Sequence, residues 1–518
     1  MSRRTGEGLE SGDGAIGRQR GSWPGWFKRA LGQERAKGRW RRWMAALLLI
    51  LAVVLCVSWL HYYDVLLYVQ KRAAGLKTFP PVAPGDRILI FAPHPDDETL
   101  GPGGLIALAR RQDIDVTVVL LTNGDSFRYS AEETFRKINL SPQEYVAYGQ
   151  IRQKETLAAL QLLGLPESKI LFLGYPDQGL VPMWFTHWET VNPYTARYTQ
   201  TSRSPYANSF HQAAIYAGSS LLEDMTKVLR QVQPTILLIP HPNDAHPDHW
   251  AGYLFAERAL ESLKLQGLPF AQETRVYTYL IHRGKWPLPK GLRPFLPLVP
   301  PATLVGRGDD WMASSLPREV AELKIQAIQN YRTQVNMMRN YLLSFARNCE
   351  IFGFYPPVTI PTVMGRPGPV AWDQVIPLIL DPKSDTLIRE VEGAGDFLGI
   401  KAALVQGRVY FQVSVREKVS PRVTYRLWLF LLERDSRSQR RFLITLSPPN
   451  SVMVQDEKGH KVGEGALLQT RGRELELSLP WQWFQGEKGF LLGGESYLGT
   501  VFLDRTGWRV TYLPGDLP

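Results

Sequence analysis

The chain has 518 residues, 44% of them hydrophobic and 21% charged, a composition that excludes a disordered chain and a polytopic membrane protein. Its two cysteines, Cys56 and Cys349, exclude a disulfide scaffold and a Cys₄ zinc site. The formal net charge of +11 fits nucleic acid, anionic lipid or a membrane topology signal, so the position of the charge must decide between them.

Much of the positive charge lies in residues 1–42, which hold 11 Lys and Arg against four acidic residues. The next 18 residues, 43–60, carry no charge, and with 61–63 they predict a single transmembrane helix. The positive-inside rule then predicts a cytoplasmic basic tail (1–42), a membrane-lipid anchor (43–63) and an extracytoplasmic remainder. A cleaved signal peptide and a buried core helix are the alternatives. The remainder is nearly balanced in charge, so we expect no nucleic-acid partner.

From residue 87 onward, buried strands alternate with helices. The apolar runs predict strands at 87–92, 116–121, 170–173, 235–240 and 275–281, and the helical segments are 97–111, 143–163, 219–232 and 249–263. A late helix over 317–347 should pack back on the sheet. This pattern predicts an α/β domain at 86–350, with a Rossmann-like, mainly parallel sheet covered by helices.

The sequence pattern changes after residue 350. A Pro-rich stretch predicts a semi-rigid linker at 351–378. Beyond it, alternating or short apolar segments bounded by turn residues predict strands at 409–416, 425–432, 441–446 and 474–479. We therefore expect an all-β sandwich at 379–518.

Two strand ends carry most of the residues capable of chemistry. The segment 92–98 (APHPDDE) follows the first strand, and the segment 241–249 (HPNDAHPDH) follows the fourth. Active sites of parallel sheets lie at the carboxyl ends of strands, where unpaired buried charge is costly without a cation or a network. One His and one Asp from the first loop with one His from the second would suit a catalytic zinc. A carboxylate and an imidazole remain for proton transfer, which indicates a hydrolase of an amide, ester or phosphoester. The structural alternative is a set of helix caps at Asp96 and Asp97 with a hydrogen-bonded His94.

The AHPDDE and HPDH segments resemble those of the PIG-L/LmbE-like de-N-acetylases, over roughly residues 86–350. The resemblance implies a metal ion, Zn²⁺ or alternatively Fe²⁺ or Co²⁺, held by His94, Asp97 and His249. It implies Asp96 as the general base, His246 as the residue that steadies the oxyanion and protonates the amine, and Asp248 as the residue that orients His246. It also implies that Arg152 and Asp177 contact the sugar.

The C-terminal region resembles family-9-type carbohydrate-binding β-sandwiches, through the segments 381–385 (DPKSD) and 395–400 (GDFLGI). Its tryptophans are candidates for a glycan-stacking surface or for core positions: Trp428, Trp481, Trp483 and Trp508. Calcium binding through Asp381, Asp385 or Asp396 is a further hypothesis.

These observations lead to one expected function and three alternatives. We expect a membrane-anchored, metal-dependent enzyme that removes acetyl groups from an N-acetylglucosamine-type sugar of an envelope glycan, glycolipid or glycoconjugate. The alternatives are an amidase acting on another sugar or a thiol conjugate, and a non-catalytic, membrane-tethered glycan-binding protein. A phosphoesterase is a third alternative, but a two-metal site would need more carboxylates than these loops offer.

Overall fold

The computed structural model describes residues 25–363, 370–385, 393–435 and 438–515, with backbone only for 25–39. The chain divides into two units, Met1–Val65 and Leu66–Pro518. Helix α1 (Gly25–Ala73) contains a segment, Trp40–Ala73, that is long and apolar enough to cross a membrane, and its apolar 18-residue window has a mean hydropathy of 2.6. The predicted span at 43–63 lies inside this helix, whereas residues 1–24 of the predicted tail lie outside the described residues.

The second unit begins with an eight-stranded sheet. Its strands are β1 (Lys77–Thr78), β2 (Arg87–Ala92), β3 (Asp115–Thr122), β4 (Ile170–Tyr175), β5 (Ile236–Pro240), β6 (Arg275–Tyr279), β7 (Asp310–Ser315) and β8 (Cys349–Phe354). They lie in the order β1-β7-β8-β6-β5-β2-β3-β4. All neighbours are parallel except where β8 pairs with β6 and β7. The prediction of a mainly parallel sheet is confirmed. It lacked three strands, β1, β7 and β8, of which β8 runs antiparallel to both of its neighbours.

Helices cover both faces of this sheet, which is why its central strands are buried runs rather than alternating ones. They are α2 (Asp97–Leu100), α3 (Gly103–Arg110), α4 (Arg128–Phe135), α5 (Pro142–Leu162), α6 (Leu180–Phe185), α7 (Gly218–Val232), α8 (Pro247–Leu265), α9 (Pro269–Glu273), α10 (Arg318–Asn330) and α11 (Arg332–Leu342). A capping box of Ser141 and Glu144 begins α5. The predicted single helix at 317–347 is wrong, because Tyr331, with a ψ of 61°, separates α10 from α11.

Two further sheets form the C-terminal region. Their strands are β9 (Val358–Thr359), β10 (Ile379–Leu380), β11 (Phe397–Val405), β12 (Arg408–Val415), β13 (Val423–Leu431), β14 (Arg441–Ser447), β15 (Ser451–Gln455), β16 (Leu467–Arg471), β17 (Glu474–Pro480), β18 (Gly489–Leu498), β19 (Val501–Arg505) and β20 (Arg509–Tyr512). One sheet has the order β10-β11-β12-β17-β16 and the other β15-β14-β13-β18-β20-β9, with β19 paired to β18. Inward-facing residues of both sheets, such as Phe411 and Leu427, share one core, so the predicted β-sandwich is confirmed.

The second of these sheets is buried on its other face as well. Trp428 and Phe430 alternate with the inward residues of β13 and pack in one core with α6 and α8 of the α/β region. The ring of Phe430 lies 5.1 Å from that of Trp184, and the ring of Trp428 lies 4.9 Å from that of Phe185. The α/β region and the sandwich therefore share a hydrophobic layer.

Candidate active site

The two polar loops predicted from the sequence meet because β2 and β5 are parallel neighbours in the middle of the sheet. The first loop follows β2 and leads into α2, and the second follows β5 and leads into α8. The carboxyl ends of parallel strands lie at one edge of the sheet, so both loops open on the same side. The Thr122 hydroxyl at the end of β3 donates to the carbonyl of Pro93, which fixes the first loop against β3.

Three side-chain atoms form a nearly equilateral triangle at this edge. His94 Nδ1 lies 3.2 Å from Asp97 Oδ2, His249 Nε2 lies 3.1 Å from the same oxygen, and the two nitrogens are 3.3 Å apart. Two ligands at ~2.0–2.1 Å from one tetrahedral zinc ion lie about 3.3 Å apart, which matches all three edges. The set of two imidazoles and one carboxylate also suits zinc chemically. The residues present therefore fit the metal that the sequence implied.

The other ring nitrogen of each histidine faces a carboxylate. His249 Nδ1 lies 3.1 Å from Asp244 Oδ2, an oxygen that also accepts hydrogen bonds from the backbone N–H groups of Ile281 and His282. His94 Nε2 lies 3.3 Å from Asp177 and 3.4 Å from Asp248. Metal-binding histidines in proteins nearly always have such an outer partner, which fixes the tautomer and the ring orientation.

The electrostatics of the triangle follow from burial and these contacts. Burial alone would raise the pKa of Asp97, but His249 and His94 outweigh it and hold that pKa well below its usual range. Burial lowers the pKa of His249, yet Asp244 and Asp97 raise it to about 10. The carboxylate is thus kept charged in a place that water hardly reaches, and a positive partner is needed there.

Asp96 stands beside the triangle in a strained backbone conformation, with a φ of 121°. Strain of this kind in a non-glycine residue persists only where the surrounding structure enforces it, and it collects at functional sites. Burial raises the pKa of Asp96 well above its usual range, although Arg152 opposes this. A carboxylate whose pKa is raised toward neutrality can accept and return a proton efficiently.

Arg152 links two loops and one carboxylate that border the cavity. Its guanidinium donates to the carbonyl oxygens of Pro95 and Gly124, and Nη2 lies 3.5 Å from Asp96 Oδ2. It thus contacts the loops after β2 and β3 and the carboxylate of Asp96. Glu155, three residues along α5, instead accepts hydrogen bonds from Thr333, so the two residues do not form the helical ion pair that their spacing allows.

His246 is the N-cap of α8, and its Nδ1 accepts the backbone N–H of Asp248 at 3.2 Å. This contact places the ring proton of neutral His246 on Nε2, the nitrogen left for the cavity that the residue lines. Burial, with the neighbouring His94 and His249, lowers the pKa of His246 to about 3. The imidazole is therefore neutral and can donate a hydrogen bond.

Two of the predicted residues contact groups other than those expected. The Asp248 carboxylate accepts hydrogen bonds from the backbone N–H groups of Gln178 and Leu180 and faces His94, whereas only its backbone N–H meets His246. The N-cap explains these contacts. Asp248 lies in the first turn of α8, where its side chain points toward the segment after β4 and away from His246. Asp177 also faces His94 while it lines the cavity.

A cavity of about 220 Å³ is lined by most of these groups. Its polar side holds six predicted residues: His94, Asp96, Asp97, Arg152, Asp177 and His246. The rest of its lining is largely apolar and comes from three other regions of the chain: Phe127, Ile281, Met338, Tyr341 and Leu342. His249 and Asp248 lie behind the polar side.

Sequence reasoning assigned no role to Asp244, His282 or Tyr341. Asp244 lies within the second polar loop, and His282 follows the end of β6, so strand-end position was the available signal for both. Tyr341 lies on α11 and donates to the carbonyl of Ile281, 3.1 Å from His282 Nδ1. No local pattern marks it, because only the packing of α11 brings it to the cavity.

Residues 89–260 match the family model PIG-L, described as GlcNAc-PI de-N-acetylase. The chain therefore contains a de-N-acetylase domain of the PIG-L (LmbE-like) family, and the resemblance predicted from AHPDDE and HPDH is confirmed.

Two curated relatives are deacetylases of N-acetylglucosamine-type sugars. The 1D-myo-inositol 2-acetamido-2-deoxy-alpha-D-glucopyranoside deacetylase of Tsukamurella paurometabola is 24% identical over 264 residues, which cover 48% of this chain and 83% of the relative. The probable N-acetyl-alpha-D-glucosaminyl L-malate deacetylase 2 of Bacillus subtilis is 24% identical over 266 residues, or 51% and 90% of the two chains. Among solved structures, N,N'-diacetylchitobiose deacetylase from Pyrococcus horikoshii shares 21% identity over 52% of this chain and 82% of that chain, with a TM-score of 0.32.

Proposed function

We propose that this chain is a zinc-dependent de-N-acetylase that acts on an N-acetylglucosamine-type sugar. The observation that carries the proposal is the triangle of His94, Asp97 and His249, with Asp96 and His246 in the same cavity. The names of the curated relatives support the sugar class, and the PIG-L match supports the reaction. Fe²⁺ and Co²⁺ suit the same ligands.

His94, Asp97 and His249 would hold the metal, which when bound supplies a water molecule of lowered pKa and positive charge at the reacting carbonyl. Asp96 takes the proton of the water as it attacks the acetamide carbon, and Arg152 holds Asp96 at the edge of the cavity. Neutral His246 donates a hydrogen bond from Nε2 to the oxyanion that develops. Asp96 then returns the proton that it took from the water to the departing amine. Asp177 and Asp248 orient His94, and Asp177 with Arg152 also contacts the sugar.

The site suits a sugar substrate joined to a second group. The polar side of the cavity meets the acetamide, and the apolar side, with Met338 and Leu342, faces the rest of the substrate. We further propose that α1 anchors the protein in a membrane as a single pass, with the basic tail in the cytoplasm and the site outside it. An envelope glycan, glycolipid or glycoconjugate is then the natural substrate class.

We also propose a carbohydrate-binding role for the C-terminal sandwich. Trp508 is fully buried and Trp428 nearly so, both against the α/β region. Trp481 and Trp483 are the partly buried tryptophans left for a glycan surface. A glycan array with the full chain in detergent tests this role, and binding should weaken in Trp483→Ala.

The experiment that tests the reaction is acetate release by the full chain in detergent, loaded with Zn²⁺. The substrates are N-acetylglucosaminyl inositol, N-acetylglucosaminyl malate and N-acetylglucosamine oligomers. We expect release from at least one of them, and chelation should abolish it. A folded, metal-loaded preparation that releases no acetate from any of the three would contradict the proposal. Turnover of a thiol-sugar amide alone would favour the amidase alternative, and tight glycan binding without turnover would favour the binding-protein alternative.

A further inference from the structure

A second group of carboxylates lies on the C-terminal side of the protein, outside the cavity described above. Asp381 follows β10, Asp385 lies four residues later, and Asp504 is on β19. Each offers a carboxylate oxygen, and the three oxygens lie within 4.8 Å of one another. Two ligands of one Ca²⁺ ion, each at ~2.3–2.6 Å, lie at most about 5 Å apart. The spacing is therefore that of one shared cation.

The hydrogen bonding of Asp381 points to a missing partner. Its side chain is 1% exposed, and neither carboxylate oxygen has a hydrogen-bond partner among the described residues. One oxygen of Asp385, Oδ1, is also buried and without a hydrogen-bond partner in that part of the chain. A buried carboxylate left in this condition is unfavourable unless it is neutralised or bound to a cation. Burial, with Asp504 and Asp385, raises the pKa of Asp381 well above its usual range.

The neighbouring arginines are committed to other groups. Arg283 forms an ion pair with Asp385 at 2.5 Å and donates to the carbonyl of Asn243. Arg505 lies over the ring of Trp250 and donates to backbone carbonyls. Within the described residues, no arginine or lysine forms an ion pair with Asp381 or Asp504. Arg283 and Arg505 both lower the pKa of Asp381 through their charge, but two cations face three carboxylates, so a negative excess remains.

We propose that Asp381, Asp385 and Asp504 bind a divalent cation of the Ca²⁺ type, as a second metal site distinct from the catalytic one. The donors are all carboxylate oxygens, which hard cations prefer, and no imidazole or thiolate is present to favour zinc. Backbone N–H groups of Phe397 and Arg505 hold Asp504 in place.

The position of this site indicates a structural role for the cation. It ties the segment after β10 to β19 within the sandwich, and through the Asp385–Arg283 pair it reaches the segment after β6. Arg283 directly follows His282 of the active-site cavity. The cation would therefore stabilise the junction between the sandwich and the loops that carry the active site.

The test uses the full chain in detergent, stripped with a chelator and then reloaded with one equivalent of Zn²⁺. Titration with Ca²⁺ up to about 10 mM, above the ~10⁻³ M limit of weak extracellular calcium modules, should show one further binding site by calorimetry. The apparent Tm should rise by several degrees. Absence of both responses in the unmodified protein would overturn the proposal, whatever the variants do.

Variants show which residues are needed for the Ca²⁺-dependent rise in Tm. Asp381→Asn and Asp504→Asn should each lose the Ca²⁺-dependent rise in Tm, whereas Asp373→Asn, an exposed acid of the same region, should keep it. His249→Ala should also keep it, which separates this site from the catalytic metal and from the proposed reaction. A calcium response that survives in both Asp381→Asn and Asp504→Asn would overturn the assignment.

Discussion

Arg505 of the sandwich lies over the indole ring of Trp250, with its guanidinium carbon 4.4 Å from the ring centroid. Trp250 directly follows His249 on α8, and Arg505 also donates to the backbone carbonyl of Asp244, whose carboxylate faces His249. The C-terminal region thus contacts two neighbours of a proposed metal ligand, Trp250 in sequence and Asp244 in space.

Replacing this contact should weaken catalysis without touching the cavity. A cation–π contact of this kind contributes ~0.5–2 kcal/mol, so Arg505→Ala should lower kcat/KM by about 2- to 30-fold and lower Tm by a few degrees. Steady-state kinetics and thermal unfolding check this. Arg471→Ala, at an exposed position in β16, is the matched control. If Arg505→Ala matches that control in both measurements, the contact has no role in positioning α8.

Asp96→Asn should strongly reduce turnover while the metal stays bound. Asn tolerates a positive φ nearly as well as Asp, so the strained backbone is kept and only the basic group is lost. Loss of a general base lowers the rate by about 10²–10⁴-fold. Acetate release and metal analysis of the same preparation check this. Asp113→Asn is the matched control, since Asp113 also has a positive φ and is exposed. Full activity in Asp96→Asn would remove Asp96 from the mechanism.

His246→Asn should lower kcat by about 10²–10³-fold and leave metal content unchanged. Asn caps a helix well, so α8 should keep its N-terminus while the donor aimed at the oxyanion is lost. Single-turnover kinetics, with Tm as the measure of the cap, separate the two roles. A variant that loses stability in step with activity would show that His246 acts through the helix alone.

Asp244→Asn should reduce zinc affinity by about 10- to 100-fold, because the carboxylate that faces His249 Nδ1 becomes neutral. His249→Ala should lose the metal altogether. Competition with a zinc chelator measures both affinities, and the exposed His211→Ala is the control. Wild-type affinity in Asp244→Asn would mean that the contact does not support the ligand.

The proposed membrane orientation is tested by labelling from outside intact cells. Ser451 is exposed on β15, so Ser451→Cys in a Cys56→Ser background should react with a membrane-impermeant maleimide. Cys349 is buried and should stay silent. Ser11→Cys, in the basic tail, should react only after lysis. Labelling of the tail but not of position 451 in intact cells would reverse the orientation.

The meeting of the two polar loops could be predicted from the sequence because it depends on the strands, whereas the choice of individual ligands came from the resemblance to the PIG-L family. His94, Asp97 and His249 follow buried apolar runs, and parallel strands bring such ends together whatever the loops do. The contacts of Asp248 could not be read in this way. They depend on the direction in which the Asp248 carboxylate points from the first turn of α8. The N-cap at His246 sets that direction.

Some strands and one helix break could not be predicted because their amino-acid pattern is weak. The strand β7 (DWMASS) has few apolar residues, and β8 (CEIFGF) runs into the Pro-rich segment that predicted a linker at 351–378. The break at Tyr331 is set by tertiary contacts, since its hydroxyl bonds Glu98 and Thr99 across the fold. Local sequence carries no signal for any of these.

The sandwich sheet that contains Trp428 and Phe430 packs on α6 and α8. It therefore covers part of the hydrophobic surface of the α/β region. A PIG-L domain cut from this chain at the Pro-rich segment would leave Trp184 and Phe185 facing water. Gene fusions, truncations and domain exchanges should therefore treat Leu66–Pro518 as the smallest portable piece. The sandwich and the α/β region should fold as one unit, because each has an apolar face that the other covers.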